Sequence, residues 1–325
     1  MIEKKYDVVA LGELLIDFTE NGASSQGNPL LEANPGGAPC NVLAMLRKLN
    51  RKVAFVGKVG NDMFGQQLKN AIEEVGISSK GLVMDNNVHT TLAFVHTFHD
   101  GDRDFSFYRN PGADMMLCAD DVDMDLIKNC KVFHFGSLSM TDEECRKATK
   151  YAIKEAKEAG AFITFDPNLR EPLWNSLDEA KEQIAYGMSQ CDLLKISDNE
   201  LQWFTGKEDF DEGIAYLKEK YSNISLILLS LGKEGSRAYS RECYADVKAF
   251  VREDTIETTG AGDTFCGCII SFIINHLDNQ RKIDELSQDE LRDMLVFANA
   301  AASIITTKKG ALRVMPTKEE IESII

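Results

Sequence analysis

Short apolar runs rich in β-branched residues, at 7–11, 53–59, 132–135, 161–165, 193–196 and 224–230, alternate along the chain with amphipathic stretches at 64–75, 142–159, 177–190 and 211–221. A strand that is apolar along its whole length suits a sheet covered on both faces, and helices between successive strands make that sheet parallel. The expected fold class is α/β: a doubly wound, mostly parallel sheet flanked by helices, in one domain spanning residues 1–325. A chain of this length buries a large core. Sheets of this kind bind ligands beyond the C-terminal ends of their strands, so the polar residues after each run are where chemistry is expected.

Two segments break the rhythm. Residues 13–33 are polar and rich in glycine and asparagine, and residues 90–112 read as a hairpin with a His-Asp-Gly-Asp turn at 99–102. Both follow strands, so together they are expected to form a small β-sheet lid over the ligand edge. Phe105, Phe107 and Tyr108 are read as packing within that lid.

The run Thr258-Thr259-Gly260-Ala261-Gly262-Asp263 precedes an apolar stretch of helical period that reaches residue 274. Two glycines around one small residue, then an acid, describe a tight loop delivering a helix N-terminus. Unpaired N–H groups and the positive end of the helix dipole meet there, and glycine lets a ligand approach the backbone closely. Phosphate is the anion such a cradle suits best. Asp263 is expected as the first helical residue or its cap, kept ionised by the dipole and able to take a proton from a hydroxyl beside a phosphate. An ordinary capped turn would use the same residues. No G-x-x-x-x-G-K-[ST] motif occurs, and no G-x-G-x-x-G stands at a strand-to-helix turn, which disfavours a Walker-type NTPase and a dinucleotide oxidoreductase.

Other strand ends carry polar clusters. Asp17 follows the first strand, and Asn34-Pro35-Gly36-Gly37-Ala38-Pro39-Cys40-Asn41 opens a helix. Gly36 and Gly37 would let backbone N–H groups meet a ligand, while Asp17 and Asn41 can bind hydroxyls. A polyol needs such partners, because each buried hydroxyl left unpaired costs ~1–3 kcal/mol. Arg170, after the strand at 161–165, and Arg109, at the end of the second lid strand, are candidates to clamp phosphate. Glu200, after the strand at 193–196, is placed to hold a nucleotide's Mg²⁺ through water. Ser197 lies on the same turn, and the turn from Ser230 through Gly232 to Gly235 can border a nucleotide. Residues 57–65 read as a structural turn with Asp62 capping the next helix.

The formal net charge of −16, from 36 basic and 52 acidic residues, argues against nucleic-acid and anionic-membrane partners. The eight cysteines are scattered without a C-x-x-C, and no apolar run approaches a membrane span. They are expected to be reduced, buried thiols in a soluble, cytoplasmic protein. His89, His96, His99, His134 and His276 show no metal-ligand spacing; none is assigned a role, and His134 is expected in the core.

Taken in order, these motifs resemble the ribokinase-like (PfkB) family of sugar kinases, and within it the fructokinases. The resemblance runs from Ala10–Asp17 to Gly310-Ala311 and Met315-Pro316. It is carried by the early glycine pair and the late Thr-Thr-Gly-Ala-Gly-Asp, and by Tyr108-Arg109-Asn110-Pro111 and Asp166-Pro167-Asn168-Leu169-Arg170. It implies that Asp263 is the catalytic base of an ATP-dependent kinase and that the N–H groups of Gly260, Ala261 and Gly262 form an anion hole. Asp17, Gly36, Gly37 and Asn41 would hold the sugar, with Arg109 reaching in from the lid and Arg170 near the phosphates. Glu200 would organise Mg²⁺, while Ser197, Ser230, Gly232, Gly235 and Asn299 would border the nucleotide. The resemblance further implies a homodimer through the lid. Two positions depart from the family pattern: Ser197 replaces the Asn of Asn-x-x-Glu, and Glu257 replaces the Asp of a K⁺ site that Thr259 and Gly310 would complete.

The leading expectation is phosphorylation of D-fructose to fructose 6-phosphate. The same chemistry on 2-keto-3-deoxygluconate, ribose or a nucleoside is the alternative, and a silent sugar-binding regulator is the non-enzymatic one.

Overall fold

The computed structural model describes residues 4–97 and 103–325, so the turn expected at 99–102, with His99, lies outside the described residues. In chain order the first half comprises β1 (Tyr6–Leu11), β2 (Leu15–Ala23), β3 (Pro29–Gly36), α1 (Ala38–Lys48), β4 (Val53–Gly60), α2 (Met63–Glu74), β5 (Ser78–Asp85), β6 (Leu92–Thr97), β7 (Arg103–Tyr108), α3 (Met124–Lys128), β8 (Cys130–Gly136) and α4 (Glu143–Glu158). The second half adds β9 (Phe162–Asp166), α5 (Leu177–Gln190), β10 (Leu193–Ser197), α6 (Asp198–Thr205), α7 (Phe210–Lys220), β11 (Leu226–Ser230), β12 (Ser236–Tyr239), β13 (Tyr244–Val247), α8 (Ala261–Asp278), α9 (Gln288–Ile305) and α10 (Lys318–Glu322).

Nine strands form one sheet in the order β13-β12-β11-β10-β9-β8-β1-β4-β5. Its pairs from β11 to β5 are parallel, and only β12 and β13 at one edge run antiparallel. All six expected strands and four expected helices are present within a residue or two. The strand period of two divides the core: Val8 and Ala10 of β1 face the cluster that includes α1, α8 and α9, whereas Val9 and Leu11 face the one that includes α4 and α5. Asp62 caps α2, accepting hydrogen bonds from the N–H groups of Phe64 and Gly65. His134 is buried in β8, and burial holds its pKa near 3, so it is neutral.

The second sheet, ordered β3-β2-β6-β7, is built from the two segments expected to form a lid, with β2 parallel to β6 and the outer pairs antiparallel. Phe18 of β2 stacks on Phe94 of β6 at 4.9 Å and meets Phe64 of α2 edge-on at 5.6 Å, which seats the lid on the main domain.

One helix pair sets the site. α8 is apolar nearly all round, as a helix buried between the sheet and other helices must be. A Cβ on its Gly267 would lie 2.8 Å from the Met45 Cβ and 3.0 Å from the Val42 carbonyl oxygen of α1. Only hydrogen at that position lets the two helices close. Asp263 is one turn before Gly267, and Asn41 one turn before Met45, so the same contact brings these two side chains together.

Candidate active site

A cavity of about 440 Å³ opens between the lid and the C-terminal ends of the parallel strands. Leu15, Asp17, Thr19, Val95 and Phe107 of the lid line one side, with the Gly36-Gly37 turn beside them. Asn168, Arg170 and Lys195 line the opposite side, and the segment from Glu257 through Asp263 forms the floor with Gly310 and Ala311. A smaller cavity of about 330 Å³ adjoins it, lined by Ser197, Asn199, Glu200 and Trp203 and sharing Asn168, Arg170 and Lys195 with the first.

The glycine pair is a steric requirement. A Cβ on Gly36 would fall 2.0 Å from Asp17 Oδ2, and Gly37 adopts φ 123° with its Cβ position 2.5 Å from the Glu13 carbonyl oxygen. Gly37 also ends the turn into α1, where the Glu13 carboxylate accepts a hydrogen bond from the Ala38 N–H at 2.9 Å. Burial pushes the Glu13 carboxyl up to about 7 despite that hydrogen bond. Asn41 is a buried residue inside α1. Its Nδ2 donates to Asp263 Oδ2 at 2.8 Å, and its Oδ1 is buried without a protein partner.

Asp263 is the third residue of α8, where Gly260, at φ 77°, is the N-cap. This corrects its expected place as first residue or cap. Shielding from solvent raises its pKa, opposed by the Asn41 hydrogen bond and by the charges of Lys195 and Arg170. The expectation that the dipole keeps it ionised is thereby amended: desolvation is the largest influence and acts against the charge. A carboxylate raised toward neutrality is a better proton acceptor than a free one. Gly260 and Gly262 line the cavity, but the Ala261 N–H donates to the Thr258 carbonyl at 3.2 Å and closes the turn. The N–H groups of Gly262 and Asp263 also lie in the first helical turn, where the helix itself offers them no carbonyl.

One expectation is corrected. Arg109 does not reach into the cavity. It is buried at the base of the lid, where Nη2 and Nε hold Asp114 Oδ2 at 2.7 and 2.8 Å, Nη1 donates to Thr141 Oγ1 and Nη2 to the Leu138 carbonyl. Every arm of the fork ties β7 to the main domain. Asn299 is likewise committed: its amide donates to the carbonyls of Val247 and Lys248 at 3.0 and 3.3 Å and accepts from Ser236 Oγ at 2.8 Å. Gly235 is needed by chain packing, since a Cβ there would lie 2.1 Å from the Val247 carbonyl oxygen. With Ser230 and Gly232, these residues lie outside the lining of both cavities.

Sequence reasoning missed Lys195 and Asp166. Lys195 lies in the middle of β10 and Asp166 ends the adjacent parallel strand β9, and the two are buried as an ion pair at 2.9 Å. The signal was a lone lysine inside the apolar run Leu-Leu-Lys-Ile-Ser, a position that only a buried partner permits.

No group of three or more metal-binding side chains occurs among the described residues. Glu200 accepts from Ser197 through Oε2 and from the Leu169 N–H through Oε1, so it fits a hydrated divalent ion held through water and not a direct cage. Glu257 Oε1 accepts from the Gly310 N–H at 2.8 Å, joining the two loops on which a monovalent-cation site would be built, and Thr259 lines the cavity beside it.

Comparison with known proteins agrees with this geometry. A family model described as pfkB family carbohydrate kinase matches residues 5–318. Among curated relatives, a probable fructokinase-2 of Arabidopsis thaliana is 43% identical over 98% of this chain and 95% of its own length. Fructokinase-2 of Solanum lycopersicum is 41% identical over 98% and 95%. Among solved structures, fructokinase from Xylella fastidiosa with bound ATP superposes with TM-score 0.88 at 28% identity, covering 98% of each chain. Fructokinase from Vibrio cholerae O395 bound to fructose, ADP and calcium gives TM-score 0.86 at 28% identity over 98% of each chain. The chain belongs to the pfkB family of carbohydrate kinases, with the ribokinase-like fold. It is a phosphotransferase whose acceptor is an alcohol group.

Proposed function

We propose that the protein transfers the γ-phosphoryl group of ATP to the 6-hydroxyl of D-fructose, giving fructose 6-phosphate and ADP. The observation that carries the reading is Asp263, held by Asn41 at 2.8 Å on the cavity floor, beside a helix N-terminus and across from the Asp17 and Gly36-Gly37 turn. In this reading Asp17, Asn41 and the glycine pair receive the sugar hydroxyls and turn the reacting one toward Asp263. That carboxylate accepts the hydroxyl proton as the oxygen attacks phosphorus. The N–H groups at the start of α8 stabilise charge on the phosphoryl oxygens, the usual source of catalysis in phosphoryl transfer. Arg170 draws the phosphates toward the junction of the two cavities. Glu200 would hold a hydrated Mg²⁺ through water, and that ion would supply charge neutralisation at the nucleotide phosphates. The likeness to fructokinases over nearly the whole chain supports fructose as the sugar.

Two further elements belong to this reading. K⁺ bound near Glu257, Thr259 and Gly310 would strengthen the anion site from below, the longer acid still bridging the two loops. Exposed Leu30, Leu31 and Tyr108 on the lid support a homodimer through that sheet.

The test is steady-state ADP release with Mg-ATP against fructose, glucose, ribose, 2-keto-3-deoxygluconate, adenosine and inosine, each in K⁺ and in Na⁺. We expect kcat/KM highest for fructose, and Asp263→Asn to lower kcat by ~10²–10⁴-fold or more with sugar affinity little changed. Preference for another sugar would refute fructose and leave the family chemistry standing; turnover of the variant within tenfold of wild type would remove Asp263 as the base.

A further inference from the structure

The two cavities meet at three shared residues, Asn168, Arg170 and Lys195. If the larger cavity receives the acceptor sugar and the smaller one the nucleotide phosphates, the group in transit crosses that junction. Of its two cations, Arg170 is partly buried, whereas Lys195 is buried within β10. A Cβ on Gly262 would lie 3.4 Å from Lys195 Nζ, so the ammonium stands directly over the first turn of α8, beside Asp263.

We propose that Lys195 is a catalytic residue that binds the transferring phosphoryl group, bridging donor and acceptor sites while Asp166 holds it in place. This rests on the kinase reading above. Asp166 takes Nζ through Oδ2 at 2.9 Å and Oδ1 at 3.2 Å. These two oxygens lie on one side of the ammonium, whose three N–H bonds point in diverging directions, which leaves donor capacity toward the cavity. Burial works against the lysine's charge, but Asp166 and Glu200 outweigh it and raise its pKa, so it stays an ammonium. A cation fixed before substrate arrives needs no reorganisation as charge spreads over the phosphoryl oxygens. The step itself is unchanged: a bond forms between the sugar oxygen and Pγ, the bond from Pγ to its bridging oxygen breaks, the proton goes to Asp263, and ADP leaves. The same ammonium lowers the pKa of Asp263, tying the two groups together.

The test compares wild type, Lys195→Met, and the double variant Asp166→Asn/Lys195→Met, which removes the buried carboxylate that the single change would strand. Turnover and magnesium tripolyphosphate binding by calorimetry are read on each, with thermal denaturation to establish folding. We expect kcat to fall at least a hundredfold in both variants, KM for the sugar to move less than threefold, and tripolyphosphate affinity to drop about tenfold. Recovery of kcat to within threefold of wild type in the double variant would overturn the proposal, leaving Lys195 merely as the counterion of Asp166. Unchanged tripolyphosphate affinity in both variants would also overturn it. If wild type phosphorylates no sugar, the function above fails, and the calorimetric comparison still decides whether Lys195 meets phosphate.

Discussion

Glu13 offers a direct measurement of what burial costs at the sugar cradle. Its carboxylate is buried and pushed up to about 7 from the ordinary 4.5, the Ala38 N–H supplying only part of what water would give an anion. The folded state therefore binds this proton more tightly than the unfolded chain. Stability contributed by the protonated form is full below about pH 4.5 and declines as pH rises toward 7. Above 7 the protein carries the whole penalty of the buried charge, roughly 3 kcal/mol from the difference in pKa. Glu13→Gln keeps an acceptor for the Ala38 N–H and removes the ionisation. Urea denaturation of both proteins at pH 5 and pH 8 isolates the effect, since all other titrating groups are common to the two. The variant should gain roughly 2–3 kcal/mol on wild type between pH 5 and pH 8. Parallel profiles for the two proteins would show that Glu13 is solvated and ionised like a surface acid, and the account of the cradle would be wrong.

Three other outcomes follow from contacts described above. Arg109→Met should unfold more easily by ~3–5 kcal/mol, because it strands Asp114 without its buried partner; an unchanged melting temperature with lost turnover would restore a direct role in substrate capture. Gly36→Ala should lower kcat/KM for fructose by more than about tenfold, since the new methyl displaces the Asp17 carboxylate; kinetics like wild type would mean that Asp17 does not bind the sugar. Asn41→Ala withdraws a hydrogen bond that favours ionised Asp263, so the acid limb of kcat should move to higher pH; a limb that stays in place would separate Asp263 from the rate.

The parallel strands were legible because a strand covered on both faces must be apolar throughout, as Leu226–Ser230 is. Edge strands escape that rule. β5, reading Ser-Ser-Lys-Gly-Leu-Val-Met-Asp, and the short β13 at the opposite edge carry polar residues because only part of each is covered. At the site, the glycines and Asp263 announced themselves through backbone chemistry, which is local. The arginine at the lid's base did not, because a guanidinium that clamps a ligand and one that clamps Asp114 look alike in sequence. The partners of the Asn299 amide, Val247, Lys248 and Ser236, are likewise set by the fold and not by local sequence. Lys195 and Asp166 are 29 residues apart and become a pair only when β9 and β10 lie side by side.

The close packing of α1 on α8 also turns the cysteines into a gauge. All eight are free, and Cys40, Cys266 and Cys268 are buried in these two helices, with thiols that burial pushes up and so keeps protonated. A thiol reagent should meet Cys118 and Cys243 promptly, both being only partly covered, and find the other six closed to it. Labelling at Cys40 or Cys266 then counts openings of the seam that aligns Asn41 with Asp263. The rate at which sugar and nucleotide slow that labelling would show, with no spectroscopic tag, how tightly the loaded enzyme holds its own catalytic floor shut.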